Sequence, residues 1–180
     1  DIKAAREIQD KIKEMAWKSG YGGSVKEAAI GVLNNPPSEA FSNVARWLHA
    51  GGESAFLQDA DSLIMRTGEL VEVIGVLKET FPSIKRITSY ARSKTVAKKK
   101  PEELKELHQA GLSRLHIGLE SGYDPLLQFM DKGVTAAEHI KGGRRVVESG
   151  ISLCEYVVLG LGGREMWHGH ALQTAVVLNE

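Results

Sequence analysis

The chain has 180 residues, with 23 basic and 23 acidic side chains and a formal net charge of zero. This length is enough for one domain with a substantial core, and the balanced charge gives no reason to expect a nucleic-acid partner. No apolar run approaches a membrane span, and no signal peptide is recognised at the start. A single cysteine excludes an intrachain disulfide framework. We therefore expect a cytoplasmic protein without a membrane or nucleic-acid partner.

The first part of the chain is predicted to be mostly helical. Apolar residues at helical spacing and capping residues indicate three helices, over 2–18, 24–33 and 38–50. Gly51 and Gly52 follow the third helix and are interpreted as its stop. We expect a single domain in which 1–52 form this helical part and 53–180 form the remainder.

From residue 53 onward, short apolar strands alternate with helices at roughly thirty-residue spacing. Strands are predicted over 54–58, 84–90, 113–119 and 152–159. Helices are predicted over 69–80 and 101–111, after Pro125, from Thr135 to Gly150, and over 171–180. Four such units imply an α/β fold with parallel strands and right-handed crossovers. The pattern alone fits either part of a (β/α) barrel or a doubly wound sheet.

The most informative stretch is Arg114–Gly122, in which alternating apolar residues lead into Gly118 and then Glu120. This pattern indicates a buried strand that ends in a polar loop. Ligands of repeated β-α proteins collect at this end of the strands, so Glu120 is a candidate ligand-binding residue. The simpler alternative is a tight turn with a solvated carboxylate.

Several segments in this region resemble radical S-adenosylmethionine enzymes, specifically the coproporphyrinogen III oxidase-like group. They span most of the chain from about residue 55 onward and read FLQDAD (56–61), ITSYAR (87–92), AGLSRLHIGLESG (110–122), DKGVT (131–135), ESGI (148–151) and VLGLGG (158–163). The resemblance implies a partial, six-unit (β/α) barrel, of which this chain would carry strands two to five.

The cysteine count departs from that family. Its members hold a [4Fe–4S] cluster on three cysteines, usually in a Cys-x3-Cys-x2-Cys loop, whereas this chain has only Cys154. The favoured explanation is a fragment whose cluster loop precedes residue 1, inactive alone. The rival explanation is a degenerate family member without a cluster. No metal ligand is assigned: His168 and His170, with Glu165 nearby, form only a His-x-His pair without identifiable third and fourth ligands.

The resemblance also implies which residues hold S-adenosylmethionine. Asp61 is the first choice and Asp59 the second for the cofactor amine, because a carboxylate is a strong acceptor for an ammonium. Arg92 would bind the cofactor carboxylate, and Ser89 would bind the same group or the ribose. An Asp-rich loop that caps the next turn and a solvated Arg92 are the simpler alternatives.

Two further positions complete the predicted cofactor site. Glu120 would bind a ribose hydroxyl or the amine, and Gly160 and Gly162 would let the backbone approach the adenine. A tight glycine loop without a ligand is the simpler alternative. Gly51-Gly52-Glu53 repeats a family motif but precedes its strand, which places it at the wrong end of the barrel. No catalytic residue is assigned.

The function implied for the parent protein is that of an Fe–S oxidoreductase. It would cleave S-adenosylmethionine reductively and abstract hydrogen from an unknown small-molecule substrate. A cluster-free binding or scaffold protein on the same barrel is one alternative. A non-radical nucleotide-dependent enzyme is another, but Gly160-Leu-Gly162-Gly163 lacks the third glycine of a dinucleotide loop. Exposed sheet edges would favour self-association.

Overall fold

The structure, a computed structural model, describes residues 2–58 and 61–180. These residues divide into two compact units, which are described separately. The first runs to Ala55 and adds Gly75–Lys85, and the second comprises Phe56–Ile74 and Arg86–Glu180. In the described part of the chain, no helix has both the length and the apolar character needed to span a membrane.

The first unit contains the three predicted helices, α1 (Ile2–Lys18), α2 (Val25–Asn34) and α3 (Glu39–His49). They pack around a shared apolar core: Ile8, Ile12, Ala16, Ala28, Ala29, Val32, Ala45 and Leu48. The helices begin where the sequence predicts because Ser24 and Ser38 each accept a backbone hydrogen bond as N-caps.

The interpretation of Gly51 and Gly52 as a helix stop is confirmed. Both follow α3 and adopt positive φ angles of 105° and 63°, conformations that glycine adopts without steric cost. The Glu53 carboxylate pairs with the Lys85 ammonium at 2.6 Å. The triplet therefore terminates a helix and contributes a surface ion pair.

Four strands form one open sheet, β1 (Ser54–Leu57), β2 (Arg86–Ala91), β3 (Leu112–Glu120) and β4 (Ser152–Val157). They lie side by side in sequence order, and β3 is parallel to both β2 and β4. The strand order has no reversal, so the sheet lacks the switch point of a doubly wound fold. The predicted α/β fold, a partial (β/α) barrel with parallel strands, is confirmed.

The two faces of the sheet differ sharply in burial. Leu115, Ile117 and Leu119 of β3 are fully or almost fully buried, and α5, α6 and α8 contact β3 or β4 on the sheet. The alternate residues along β3, among them His116, are only partly buried. Because side chains alternate between faces of a strand, one face forms the core and the other remains accessible.

The second unit also supplies the helices that follow the strands. Beyond a 3₁₀ turn at Ser62–Ile64, they are α4 (Thr67–Thr80), α5 (Ser93–Lys98), α6 (Pro101–Ala110), α7 (Asp124–Phe129), α8 (Ala136–Glu148) and α9 (Gly163–Asn179). The residues of α4 from Gly75 onward are assigned to the first unit. The capping box predicted at Thr135 is confirmed, because Thr135 and Glu138 each accept a hydrogen bond from the other's backbone amide.

Two predicted boundaries were wrong, and one helix was missed. The last helix begins at Gly163, not at residue 171, and β4 ends at Val157, not at 159. Gly169 lies inside α9 because the Tyr123 ring packs where its Cβ would be, 2.8 Å away. This packing outweighs the low helix propensity of glycine. The short helix α5 was not predicted, since its lysine-rich sequence gave no apolar periodicity.

Candidate functional site

An open cleft of about 490 Å³ lies beyond the carboxyl ends of β2 and β3. We call it the rim cleft. The aromatic rings of Tyr90 and His116 and the backbone at Gly118 line one part of it. Its charged residues are Arg92, Lys94, Glu120, Asp131 and Lys132. The cleft thus occupies the end of the sheet at which parallel α/β proteins bind their ligands.

Glu120 projects its carboxylate into the rim cleft from a strained backbone. Its φ is +60°, and the Ser121 amide donates to the Leu119 carbonyl at 2.7 Å across it, which closes a γ-turn. A left-handed conformation is costly for a residue with a Cβ and persists only where the surroundings hold it. The carboxylate lies 3.0 Å from the Lys132 ammonium, and its side chain is 22% exposed.

Gly118 makes room for this ion pair. A Cβ on Gly118 would lie 2.3 Å from Oε1 of Glu120 and 3.2 Å from Nζ of Lys132. Any larger residue would therefore displace the carboxylate. Glycine is required at position 118 because the Glu120 side chain folds back over this part of β3.

A buried polar network on α9 holds the loop after Glu120. Nδ1 of His170 lies 2.9 Å from the Ser121 hydroxyl, and the Gly122 amide donates to the Thr174 hydroxyl at 2.9 Å. All three side chains are at least nine-tenths buried. His170, considered at first as half of a His-x-His metal pair, is instead engaged in positioning this loop.

Arg92 and Lys94 bring positive charge to the opposite side of the cleft. Both side chains are exposed, and neither has an ion-pair partner among residues 2–58 and 61–180. Lys132, in contrast, is neutralised by Glu120. Asp131 also lines the cleft without an ion-pair partner among the described residues. The three cations and two carboxylates of the cleft therefore sum to a charge of +1, which favours an anionic group on a ligand.

Asp61 and Ser89 lie near the cleft but are engaged elsewhere. The Asp61 carboxylate accepts hydrogen bonds from the Arg92 amide, at 3.3 Å, and from the Thr95 hydroxyl, so it caps the start of α5. Ser89 is fully buried and donates to the Leu57 carbonyl or the Ser62 hydroxyl. The structure therefore brings Arg92 and Glu120 into one cleft. Asp61 and Ser89 do not line it, and the Ser89 side chain is buried on β2.

The glycine loop after β4 contains one open and one packed position. Nothing lies within 4 Å of a Cβ built on Gly160, whereas one built on Gly162 would approach Cβ of Met166 to 2.8 Å. Of these two glycines, Gly160 leaves its backbone open to a ligand, while Gly162 serves close packing at the start of α9. Asp59 lies outside the described residues.

His139 of α8 is a buried neutral histidine close to the cleft. Its Nδ1 atom hydrogen-bonds the Ser93 hydroxyl, and its Nε2 atom has no partner within the described chain. Burial, reinforced by the positive charge of Lys132, lowers the pKa of His139 to about 4. Since the imidazole is uncharged at neutral pH, it adds no further positive charge to this region.

The accessible face of the sheet carries a row of rings below the cleft, one from each strand. Phe56, Tyr90, His116 and Tyr156 have neighbouring ring centroids 4.7–5.9 Å apart. We call them the aromatic row. Nδ1 of His116 lies 2.8 Å from the Tyr156 hydroxyl. Burial, followed by the charges of Arg114 and Arg86, lowers the pKa of His116.

Sequence reasoning did not identify Lys132, His139 or the aromatic row as parts of this region. Lys132 lies in one of the segments that carry the family resemblance, but nothing in its spacing indicates contact with Glu120 twelve residues earlier. The four predicted strands could have been aligned as parallel neighbours in sequence order. In the structure this arrangement places Tyr90 opposite His116, so such an alignment could have indicated the aromatic row.

The described residues contain no group of three or more His, Cys, Asp or Glu side chains that could hold a metal ion. Cys154 is half-buried. The chain has no second cysteine, so it does not supply the thiolates that a three-cysteine [4Fe–4S] site requires.

Comparison with known proteins defines the class. Residues 5–173 match the model of the Radical SAM superfamily, which covers both compact units. The chain belongs to this superfamily, whose members normally use S-adenosylmethionine and a [4Fe–4S] cluster. A search of curated proteins found no significant match.

Proposed function

We propose that the chain forms the S-adenosylmethionine-binding part of a radical SAM enzyme, and that the rim cleft is the cofactor site. The observation that carries the proposal is that one cleft at the carboxyl ends of the strands contains both the Glu120 carboxylate and the Arg92 guanidinium. Glu120 pairs with Lys132, whereas Arg92 has no ion-pair partner among the described residues. The motifs that resemble the coproporphyrinogen III oxidase-like group support assignment to that group.

The charges of the cleft complement the cofactor. S-adenosylmethionine carries an ammonium, a carboxylate and a ribose with two hydroxyls. Arg92, with Lys94 beside it, would bind the carboxylate, and Glu120 would accept from the ribose or the amine. Asp61 keeps acceptor capacity for the amine, because a carboxylate has about four lone-pair sites and two are engaged. Gly160 would receive the adenine edge.

The cluster does not fit this chain, because one cysteine cannot replace three. In the superfamily the reduced cluster supplies the electron that cleaves the cofactor. The residues described here would bind and orient the cofactor at the strand ends. An unknown small-molecule substrate would approach along the accessible sheet face.

A cluster-free binding protein on the same barrel is the second candidate. The single cysteine favours it, and it shares the predicted cofactor contacts but not the redox chemistry. A non-radical nucleotide enzyme on a doubly wound sheet has no such support, because the described strands follow each other in sequence order.

Binding of S-adenosylmethionine to the purified chain tests the cofactor site that both candidates share. We expect saturable binding by isothermal titration calorimetry, weakened about tenfold in Glu120→Gln and in Arg92→Gln, because each substitution removes a charge-assisted hydrogen bond worth roughly 1.5–3 kcal/mol. Glu106→Gln, at an exposed position on α6, is the matched control and should bind like the wild type. Equal affinity in all four proteins would place the cofactor elsewhere.

A further inference from the structure

The aromatic row has no structural role that requires its rings to be accessible. Phe56 is 38%, Tyr90 40% and Tyr156 46% exposed, although each strand could place its large apolar residues on the buried face. The rings form a continuous row across four neighbouring strands, and grouped exposed apolar residues mark binding surfaces.

The rings pack against one another. Phe56 contacts both Tyr90 and His116, with centroids 4.7 Å and 5.5 Å away. The rings of His116 and Tyr156 are stacked at an interplanar angle of 22° and joined by the hydrogen bond of the Tyr156 hydroxyl. A preorganised aromatic surface loses little entropy when a flat ligand stacks on it.

Positive charge lies at the end of the row away from the rim cleft. Arg114 precedes His116 by two residues on the same face of β3, which corresponds to roughly 6.6 Å along a strand, and its guanidinium donates to the Ser152 hydroxyl. Arg86 lies on the neighbouring strand β2. Neither arginine has an ion-pair partner within the described residues, so both are available to an anion.

We infer that the aromatic row, with Arg114 and Arg86, binds a substrate with a planar conjugated ring and an anionic substituent. The ring stacks on the nearly parallel rings of His116 and Tyr156 and makes an edge contact with Tyr90, whose ring stands at 70° to His116. The carboxylate or phosphate reaches the arginines. Tyr90 and His116 also line the rim cleft, so the stacked ring lies directly beside the proposed cofactor. The inference rests on the proposed function, since it names the substrate class of that site.

Three probes of similar size test the inference on the purified chain. They are 2-naphthoate, which is planar and anionic, decalin-2-carboxylate, which is anionic but saturated, and 2-naphthylmethylammonium, which is planar but cationic. We expect 2-naphthoate to bind at least fivefold more tightly than either of the others. Equal binding of the saturated acid would overturn the stacking role, and equal binding of the cation would overturn the role of the arginines.

Variants locate the probe on the sheet. Tyr156→Leu and Tyr90→Leu should each weaken 2-naphthoate binding about fivefold, because aromatic contacts contribute roughly 0.5–1.5 kcal/mol beyond burial. Arg114→Gln should weaken 2-naphthoate binding by a similar factor. Arg86→Gln also removes a positive charge and should weaken binding, but it leaves the hydrogen bond between Arg114 and Ser152 intact. Phe129→Leu, a 76% exposed aromatic outside the row, is the matched control. Loss of binding in Phe129→Leu alone, with the row variants unaffected, would contradict the inference.

The same proteins separate this inference from the cofactor proposal. Tyr156→Leu should leave S-adenosylmethionine affinity within twofold of the wild type, and Glu120→Gln should leave 2-naphthoate affinity unchanged. If S-adenosylmethionine fails to bind while 2-naphthoate shows the expected variant pattern, the cofactor assignment fails and the ring site stands. If both probes lose affinity in Glu120→Gln and neither does in Tyr156→Leu, the ring site is wrong.

Discussion

Glu120 combines three features that seldom occur together at a purely structural residue. It has a left-handed backbone, a partly buried carboxylate paired with Lys132, and a glycine beneath it that no other residue could replace without displacing it. Backbone strain of about 1–3 kcal/mol is retained where structure around it over-determines the conformation, and such residues cluster at functional sites. These features support Glu120 as the central ligand-binding residue of the rim cleft.

His139 makes stability depend on pH. Its folded-state pKa of about 4 lies below the unfolded value of about 6.5, so the unfolded chain binds the proton first as pH falls. Stability is therefore complete above about pH 6.5 and declines toward pH 4. We expect a loss of about 2 kcal/mol between pH 7 and pH 5, from 1.36 kcal/mol per pKa unit. Urea unfolding at the two pH values measures it.

His139→Gln separates this effect from other titrating groups. His116, whose pKa is also lowered by burial, contributes in the same direction and remains in the variant. The carboxylates of Glu103 and Glu138, with pKa values lowered mainly by backbone hydrogen bonds, act at lower pH. The loss between pH 7 and pH 5 should shrink by more than half in His139→Gln. An unchanged loss would show that His139 is accessible to protons in the folded state.

Among the secondary-structure elements, α9 determines the geometry of the rim most directly. Its Thr174 hydroxyl accepts the Gly122 amide, and a Cβ on Gly122 would lie 2.4 Å from the Gln173 carbonyl, so the loop after β3 is seated closely on the helix. Thr174→Val keeps the shape and leaves the amide buried without a partner, which costs roughly 1–3 kcal/mol.

We therefore expect Thr174→Val to lower the free energy of unfolding by about 1–3 kcal/mol and to weaken S-adenosylmethionine binding as well. Thermal unfolding followed by calorimetric titration measures both. Thr80→Val, at an exposed hydroxyl near the end of α4, is the control and should change stability by less than about 0.5 kcal/mol. Reduced stability with full cofactor affinity would show that the loop does not position Glu120.

Most elements were predictable because periodicity and capping signals are local. The sequential parallel strands followed from four apolar segments separated by helices, and Ser38 and Thr135 marked helix starts. The early start of α9 was not predictable, because it depends on the packing of Gly169 against Tyr123, forty-six positions earlier in the sequence. Tertiary contact outweighed the local glycine signal there.

In the candidate site, too, local sequence signals were predictable and tertiary contacts were not. Arg92 and Glu120 were predicted as strand-end residues, and the structure places both in the rim cleft. A capping role was named as the simpler alternative for the Asp-rich loop, but the capping of α5 by Asp61 could not be predicted, because α5 itself was missed. The burial of Ser89 was not predicted either. Lys132 was missed since a salt bridge between a strand end and a later loop leaves no periodic pattern.

At the scale of the whole molecule, the second unit carries β2, β3 and β4, the rim cleft and the aromatic row, whereas the first unit contains three helices with their own core. Both ends of the sheet are open, since β1 and β4 have a strand neighbour on one side only within the described residues. Self-association through these edges stays a prediction.

The central claim is that S-adenosylmethionine binds at the rim cleft, and mapping its contacts by NMR tests this most directly. S-adenosylmethionine is added to the isotope-labelled chain and amide shifts are followed. The account predicts the largest changes at Arg92, Glu120, Lys132 and Gly160, with the amides of α1 and α2 unaffected. Shifts confined to the helices of the first unit, or no saturable shift at any residue of the cleft, would contradict it.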